Sequence, residues 1–275
     1  MPGKPALDVA VLGGLQTSVR RTPGEGDPVV FVHGNPTFSF DWNPFMEQLA
    51  RPAIAFDLPG FGASERPAAD RFDFTMQAYA AWIGAALDEL GLDRFGLVVH
   101  DWGAIALQPA GERADRVDRL AVIDAVPLFA GYRWHWVARA WRRPGLGEQL
   151  MAGNSKALFA AGLRLARPRR RPMPSEWLDQ TWEAFDRGTR EAVLGLYRSA
   201  QPEALAAAGA GLGRLDCPAR VIWGARDPYI GTDWGGEYTA ALPNARYVEL
   251  RDAGHWPWID EPELVGSVCD FLAAA

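Results

Sequence analysis

The chain has 275 residues, 48% of them hydrophobic, and a formal net charge of −6. That length admits one large α/β domain, or a core with an insert, and the composition supplies a sizeable apolar interior. The mild acidity, with no basic face interleaved with aromatics, argues against a nucleic-acid partner.

Met1 to Gly14 has no basic segment followed by a long apolar run, so no signal peptide is expected. Residues 7–20 read as two short strands about Gly13-Gly14, a hairpin signal. Pro28 to Val32 is a near-continuous apolar run, as expected for a strand buried on both faces of a parallel sheet. It ends in His33-Gly34-Asn35-Pro36-Thr37. A helix is expected over roughly 41–50. Ala53 to Phe56 is the next strand, ending in a Gly/Pro-rich loop from Asp57 to Ser64. Met76, Tyr79, Ala80, Ile83, Leu87 and Leu90 fall at helical spacing over 75–90, with Gly91 as the stop. Arg94 to Val99 is a short buried strand, followed by His100-Asp101-Trp102-Gly103. A helix should start at Ala104 and be ended or bent by Pro109. Leu120 to Ile123 is another strand, ending at Asp124.

From about Pro127 to Gly211 the alternation gives way to a helical pattern rich in Arg, Trp and Ala. The run Arg167 to Pro174 cannot continue a helix and should break the region in two as a solvated linker. Strands resume at Ala219 to Trp223, before Gly224-Ala225-Arg226-Asp227-Pro228, and at Arg246 to Leu250, before the turn carrying His255. A last helix is expected over about 261–273. Strands alternating with helices imply an α/β fold with a mostly parallel central sheet flanked by helices. The expected organisation is a core of residues 1–126 and 212–275, with a helical cap of residues 127–211 inserted after the strand ending at Asp124. No stretch approaches the ~20 apolar residues of a membrane span. Cys217 and Cys269 form neither a disulfide framework nor a CxxC site and fit a reducing, cytoplasmic setting as core thiols.

In such sheets the chemistry sits at the carboxyl ends of strands. A strand, one polar residue and a helix opened by small residues make the setting of a nucleophile elbow, and here its apex is Asp101. An Asp can simply cap a helix there. As a nucleophile, a carboxylate suits a saturated carbon bearing a leaving group, which it displaces to leave an alkyl ester. A Ser would leave an ether that water cannot open, whereas the Asp ester keeps a carbonyl carbon for a His-activated water. Carbon–halogen bonds and epoxides are the substrates this choice selects. Asp101, Asp227 and His255 follow the chain order nucleophile, acid, His. His255 would activate water while the acid holds its ring and tautomer. Asp124 also ends a strand and is the alternative acid; Asp227 is favoured for its strand-Gly-x-x-Asp setting. The Asn35 loop and Trp102 each offer a backbone N–H to an oxyanion hole, and their side chains are neutral donors for a departing anion. No cofactor or metal is required.

Along nearly its whole length the chain resembles the α/β-hydrolase superfamily, in the branch of haloalkane dehalogenases and epoxide hydrolases. His33-Gly34-Asn35-Pro36-Thr37 resembles the dehalogenase loop whose Asn binds halide. Val99-His100-Asp101-Trp102-Gly103 resembles dehalogenases more than epoxide hydrolases, with Trp102 at the place of the halide-binding Trp. Leu196-Tyr197-Arg198 resembles the epoxide-hydrolase segment that carries a ring-opening Tyr, and Tyr132 is the one candidate for a second. Trp134-His135-Trp136, with Tyr197, resembles the halide pocket of fluoroacetate dehalogenases. Those enzymes, however, carry Arg for a substrate carboxylate where Trp102 and Ile105 stand here. The resemblance implies a hydrolase that uses water to cleave a small, hydrophobic organohalide through an Asp101 ester. Its alternative is an epoxide hydrolase with Tyr197 as proton donor. His135, Trp136 and Tyr197 are the binding residues it implies on the cap side.

Overall fold

A computed structural model describes residues 3–274. Residues 1 and 275, the ends of the expected core segments, lie with residue 2 outside the described residues. The hairpin about Gly13-Gly14 forms from β1 (Ala6–Leu12) and β2 (Leu15–Thr22). The remaining strands are β3 (Val29–Val32), β4 (Ala53–Phe56), β5 (Phe95–His100), β6 (Val117–Ile123), β7 (Ala219–Gly224) and β8 (Ala245–Leu250). They make one sheet in the order β1-β2-β4-β3-β5-β6-β7-β8. β1 and β2 are antiparallel to their neighbours, and every pairing from β4 to β8 is parallel.

β3, β4 and β5 are buried at every position. Short apolar runs of this kind are stable only where both faces of the sheet are covered. One covering helix, Met76–Glu89, starts where the Thr75 hydroxyl accepts the Ala78 N–H at 3.1 Å. Its Trp82 indole donates to the Leu12 carbonyl at 2.8 Å, fastening the helix to the hairpin. Cys217 and Cys269 are unpaired and buried. Among the described residues no helix is long and apolar enough to cross a membrane.

Several elements differ from expectation. In place of a helix over 41–50 there is a tight turn, Ser39–Trp42, and a single helical turn, Asn43–Met46. Pro52 disfavours helical backbone at Arg51, and β4 begins one residue later. After Asp101 the chain runs as a 3₁₀ helix, Asp101–Ala106, before an α-helix at Leu107–Glu112. Pro109 falls in the first turn of that α-helix, where its missing N–H matters least, so it does not end the helix. The last helix, Glu263–Ala273, forms as expected, and a separate helical turn, Pro257–Asp260, precedes it.

Between β6 and β7 the chain is helical, as expected: Trp136–Trp141, Leu146–Ala152, Lys156–Leu163, Ser175–Ala184, Arg187–Ser199 and Pro202–Gly209. This segment rests on loops that follow β3 and β4. The Trp177 indole donates to Asp41 at 2.6 Å and the Thr189 hydroxyl to the Gly60 carbonyl at 2.8 Å. The helices are interrupted near Arg167 to Pro174, with Arg169 and Arg170 at φ 54° and 52°. Arg167 departs from the solvated linker expected there: its side chain is 9% exposed and pairs with Asp260 at 2.8 Å.

The turn after β5 approaches β3 so closely that a Cβ at Gly103 would lie far inside contact distance of the Val32 carbonyl oxygen, a backbone atom. Gly103→Ala should therefore destabilise the protein by about 1–3 kcal/mol, the usual range for overpacking. Urea unfolding checks this, and an unchanged midpoint would contradict it.

Candidate active site

Asp101 directly follows β5 at φ 49°, a backbone conformation that residues other than glycine rarely adopt. Strain of this kind, about 1–3 kcal/mol, persists only where neighbours over-determine it. One such neighbour is Gly34, where an added Cβ would stand 2.6 Å from Asp101 Oδ2. The reward is a carboxylate presented to the loop after β3. Asp101 Oδ2 accepts the Asn35 backbone N–H at 2.9 Å, and the Trp102 backbone N–H also bonds this carboxylate. Burial raises the Asp101 pKa to about 6, against the pull of His255 and of those two N–H groups.

His255 sits in the turn after β8. Its Nδ1 lies 2.7 Å from Asp227 Oδ2 and its Nε2 lies 3.7 Å from Asp101 Oδ1. The Asp227 side chain is fully buried, and its Oδ1 accepts the N–H groups of Tyr229 at 2.7 Å and Ile230 at 3.2 Å. Burial by itself would keep the His255 ring neutral. The charge and hydrogen bond of Asp227, followed by the charges of Asp101 and Asp41, hold its pKa above the usual histidine value.

The two possible acids are placed differently. Asp124 Oδ1 accepts the Gly224 N–H at 2.9 Å, and its Oδ2 is buried without a partner in the protein. Burial, and next the charge of Asp227, hold Asp124 well above the carboxylate range. It stands beside Asp227, which favours its protonated form, while Asp227 takes the imidazole.

Asn35, Trp102 and Tyr197 come together. Asn35 Nδ2 donates weakly to the Tyr197 hydroxyl at 3.5 Å. The Trp102 ring packs edge-on to Tyr197 with centroids 4.9 Å apart, and its buried indole N–H has no formed hydrogen bond. Burial raises the Tyr197 pKa well above the phenol range, while Trp102 and Asn35 act to lower it. Core and helical-segment donors thus share one space.

That space opens into a cavity of about 470 Å³ that also touches Asp101, His255, Tyr132 and Tyr229. Its walls are mostly aromatic and aliphatic, with no Lys or Arg. Tyr132 is buried, with its hydroxyl unpartnered. His135 lines the cavity, but its Nδ1 accepts the Ala138 N–H and caps the helix Trp136–Trp141. Burial lowers the His135 pKa to about 4, so the ring is uncharged near neutrality. Trp136 also lines the cavity, but from its rim, 71% exposed, because it starts a helix whose buried residue is Ala138. Trp134 is the tryptophan that reaches inward, stacked on Trp102 at 5.2 Å.

Two further residues serve the site. His100 Nε2 donates to the His255 carbonyl at 2.7 Å. Asp41 accepts the indole N–H groups of Trp177 and Trp256, and its pKa is raised by burial to about 7. His100 adjoins Asp101 in sequence, a signal that was available. Asp41 gives none, since nothing local marks it as buried.

A family model described as alpha/beta hydrolase fold matches residues 27–262. The chain belongs to the α/β-hydrolase fold family and is a hydrolase. Within that family its relatives at 30% identity or more include haloalkane dehalogenases. The haloalkane dehalogenase of Mycolicibacterium paratuberculosis is 30% identical over 213 residues, 76% of this chain and 70% of that protein. A crystal structure of the haloalkane dehalogenase of Bradyrhizobium elkani superposes with a TM-score of 0.84 at 27% identity, covering 98% of each chain. The epoxide hydrolase of Vigna radiata superposes with a TM-score of 0.80 at 21% identity, over 98% of this chain and 97% of that one, a likeness of fold alone.

The contrast between the two acids is testable. Asp227→Asn should lower turnover by about 10⁴, the loss seen when Asn replaces the Asp that holds a catalytic His. Asp124→Asn should be mild, since an amide oxygen can still accept the Gly224 N–H and Asp124 does not touch the imidazole. Steady-state kinetics of both variants decides, and the reverse ranking would make Asp124 the acid.

Proposed function

We propose that the protein cleaves the carbon–halogen bond of an apolar organohalide through an ester on Asp101, with residues 127–211 as a cap over a core of 1–126 and 212–275. The observation that carries this reading is the asymmetry of the Asp101 carboxylate. Oδ2 is held by the Asn35 N–H, while Oδ1 is left 3.7 Å from His255 Nε2, beside the cavity. Oδ1 attacks carbon, the new C–O bond forms as the C–X bond breaks, and halide leaves with the electron pair. A halide needs donors but no proton, and Asn35 Nδ2 and the Trp102 indole N–H are neutral donors next to the nucleophile. Water then attacks the ester carbonyl and His255 Nε2 takes its proton. Asp227 stabilises the imidazolium, and the Asn35 N–H on Oδ2 stabilises the tetrahedral oxyanion. Collapse expels the alcohol oxygen, which takes that proton back from His255, and loss of the remaining acid proton to solvent restores the Asp101 carboxylate.

Other features support this reading. Haloalkane dehalogenases are among the relatives at about a third identity. Without a cationic side chain the cavity suits an uncharged substrate better than a haloacid. Its size is within the range of about 300–1,000 Å³ common to small-molecule sites. The two free cysteines suit a cytoplasmic setting.

One observation favours a second reading, an epoxide hydrolase. An opened epoxide stays attached as an alkoxide and needs a proton. The Tyr197 hydroxyl accepts from Asn35, which leaves its own O–H free to donate, and the Tyr132 hydroxyl is unpartnered.

Two measurements test these readings. His255→Gln treated with 1-bromohexane should release one equivalent of bromide and retain the alkyl mass on the Asp101 peptide in mass spectrometry. Bromide release from unmodified protein would contradict the ester. In single-turnover assays on 1-bromohexane, Asn35→Ala and Trp102→Phe should slow ester formation by about 10²–10³, the cost of losing one preorganised donor. Tyr197→Phe should be mild. If Tyr197→Phe is instead the damaging change, and styrene oxide the better substrate, the epoxide reading replaces the first.

A further inference from the structure

The basic run that begins at Arg167 contains one arginine doing something other than meeting solvent. Arg167 Nε donates to Asp260 Oδ1 at 2.8 Å, with the two side chains 9% and 0% exposed. Arg167 Nη2 donates to the Ile259 carbonyl at 3.3 Å, and Nη1 to the Pro172 carbonyl of its own turn. The second oxygen of Asp260 accepts the Gly254 N–H at 2.9 Å. One residue before Arg167, the Ala166 carbonyl accepts the N–H of His255 at 2.9 Å. A Cβ on Gly254 would strike that same carbonyl, so the two segments lie in direct backbone contact. From the opposite side His100 Nε2 holds the His255 carbonyl at 2.7 Å. The helical segment thus grips the N–H side of the His255 main chain, and the core grips the C=O side.

Fully buried ion pairs are rare, and charged side chains are seldom buried without a partner. This pair joins the helical segment to the turn that carries His255, and neither side chain lines the cavity. The guanidinium is suited to the task because its rigid planar fork reaches a carboxylate and two carbonyls from separate nitrogens, where a lysine has one nitrogen. The nucleophile is held differently. Asp101 depends on the N–H groups of Asn35 and Trp102, which lie on the loop after β3 and the turn after β5.

We propose that Arg167 is a positioning residue for His255. Through Asp260 and the Gly254 N–H, and by fixing the Ala166 carbonyl against the His255 N–H, it sets where the imidazole stands. It therefore governs the opening of the ester and not its formation. This rests on the two-step reading of Asp101 and His255 given above. Displacement of a catalytic group by about 1 Å costs on the order of 10² in rate, and here that cost falls on one step alone.

The experiment is a single-turnover comparison on 1-bromohexane, with bromide release reporting ester formation and quenched intact-protein mass spectrometry reporting ester decay. Arg167→Met should form the ester at close to the wild-type rate and open it slower by on the order of 10², so that the alkylated enzyme accumulates during turnover. Arg167→Lys should recover part of the loss. Because Arg167→Met leaves a buried carboxylate unpaired and can unfold the protein, the double variant Arg167→Met, Asp260→Asn is measured beside it. With both charges removed it should unfold near the wild-type midpoint and still open the ester slowly. Equal slowing of both steps, or of neither, overturns the proposal. His255→Gln separates this from the underlying reading. If that variant traps the ester and the Arg167 variants do not, only the positioning role is lost. If it traps nothing, the ester reading falls and the positioning role with it.

Discussion

Backbone N–H groups on the Asp101 carboxylate set the terms for the rest of the site. The Asn35 N–H reaches Oδ2 because Asp101 adopts φ 49°, and that conformation needs Gly34 beneath it and Gly103 just beyond it. Burial removes most of the water that would otherwise blunt a carboxylate, and the N–H groups replace only part of it. The outcome is a carboxylate that is poorly solvated yet ionisable near neutrality, which is what a carboxylate needs if it is to act on carbon. The sheet supplies the platform: β3 and β5 are paired neighbours, so the Asn35 loop and the Asp101 turn emerge side by side from their carboxyl ends.

The acid shows how finely position beyond a strand end matters. Asp124 follows β6 directly, and the pairing of Ile123 with Ile222 keeps it against the backbone of β7, where it is spent on the Gly224 N–H. Asp227 lies three residues past the end of β7, far enough out for its carboxylate to meet His255. Burial and the charge of Asp227 favour the uncharged form of Asp124, which lessens the negative charge facing the imidazole from this side. In the sequence the two differ only in spacing, Asp124 ending its apolar run directly and Asp227 following Gly224-Ala225-Arg226.

Much else was legible. Continuous apolar runs marked the buried strands β3, β4 and β5, and the order Asp101, Asp227, His255 at strand ends marked residues that the fold brings within a few ångströms of one another. What escaped were properties of side-chain direction. Trp136 and Trp134 differ by two positions, yet one lies on the rim and the other stacks on Trp102, because the helix starts between them. Arg167 belongs to a run that composition marks as solvated, and only its tertiary partner Asp260 draws it inward. Tyr197 read as an alternative to Asn35 and Trp102, whereas the fold sets all three around one space. A division between core and helical-segment chemistry is easy to draw along the chain and dissolves in three dimensions.

The charges around His255 carry a consequence for timing. Its raised proton affinity comes from Asp227 first, with Asp101 and Asp41 adding to it. On the proposed reading, esterification removes the charge of Asp101 at the moment the first product forms. The imidazole then loses one of the anions that favour its protonated form, so more of it stands neutral, the form that has a lone pair for a proton from water. Before that moment the same anion discourages it from acting as a base. The site thus carries its own sequencing, in which covalent capture of the substrate switches on the base that will release it.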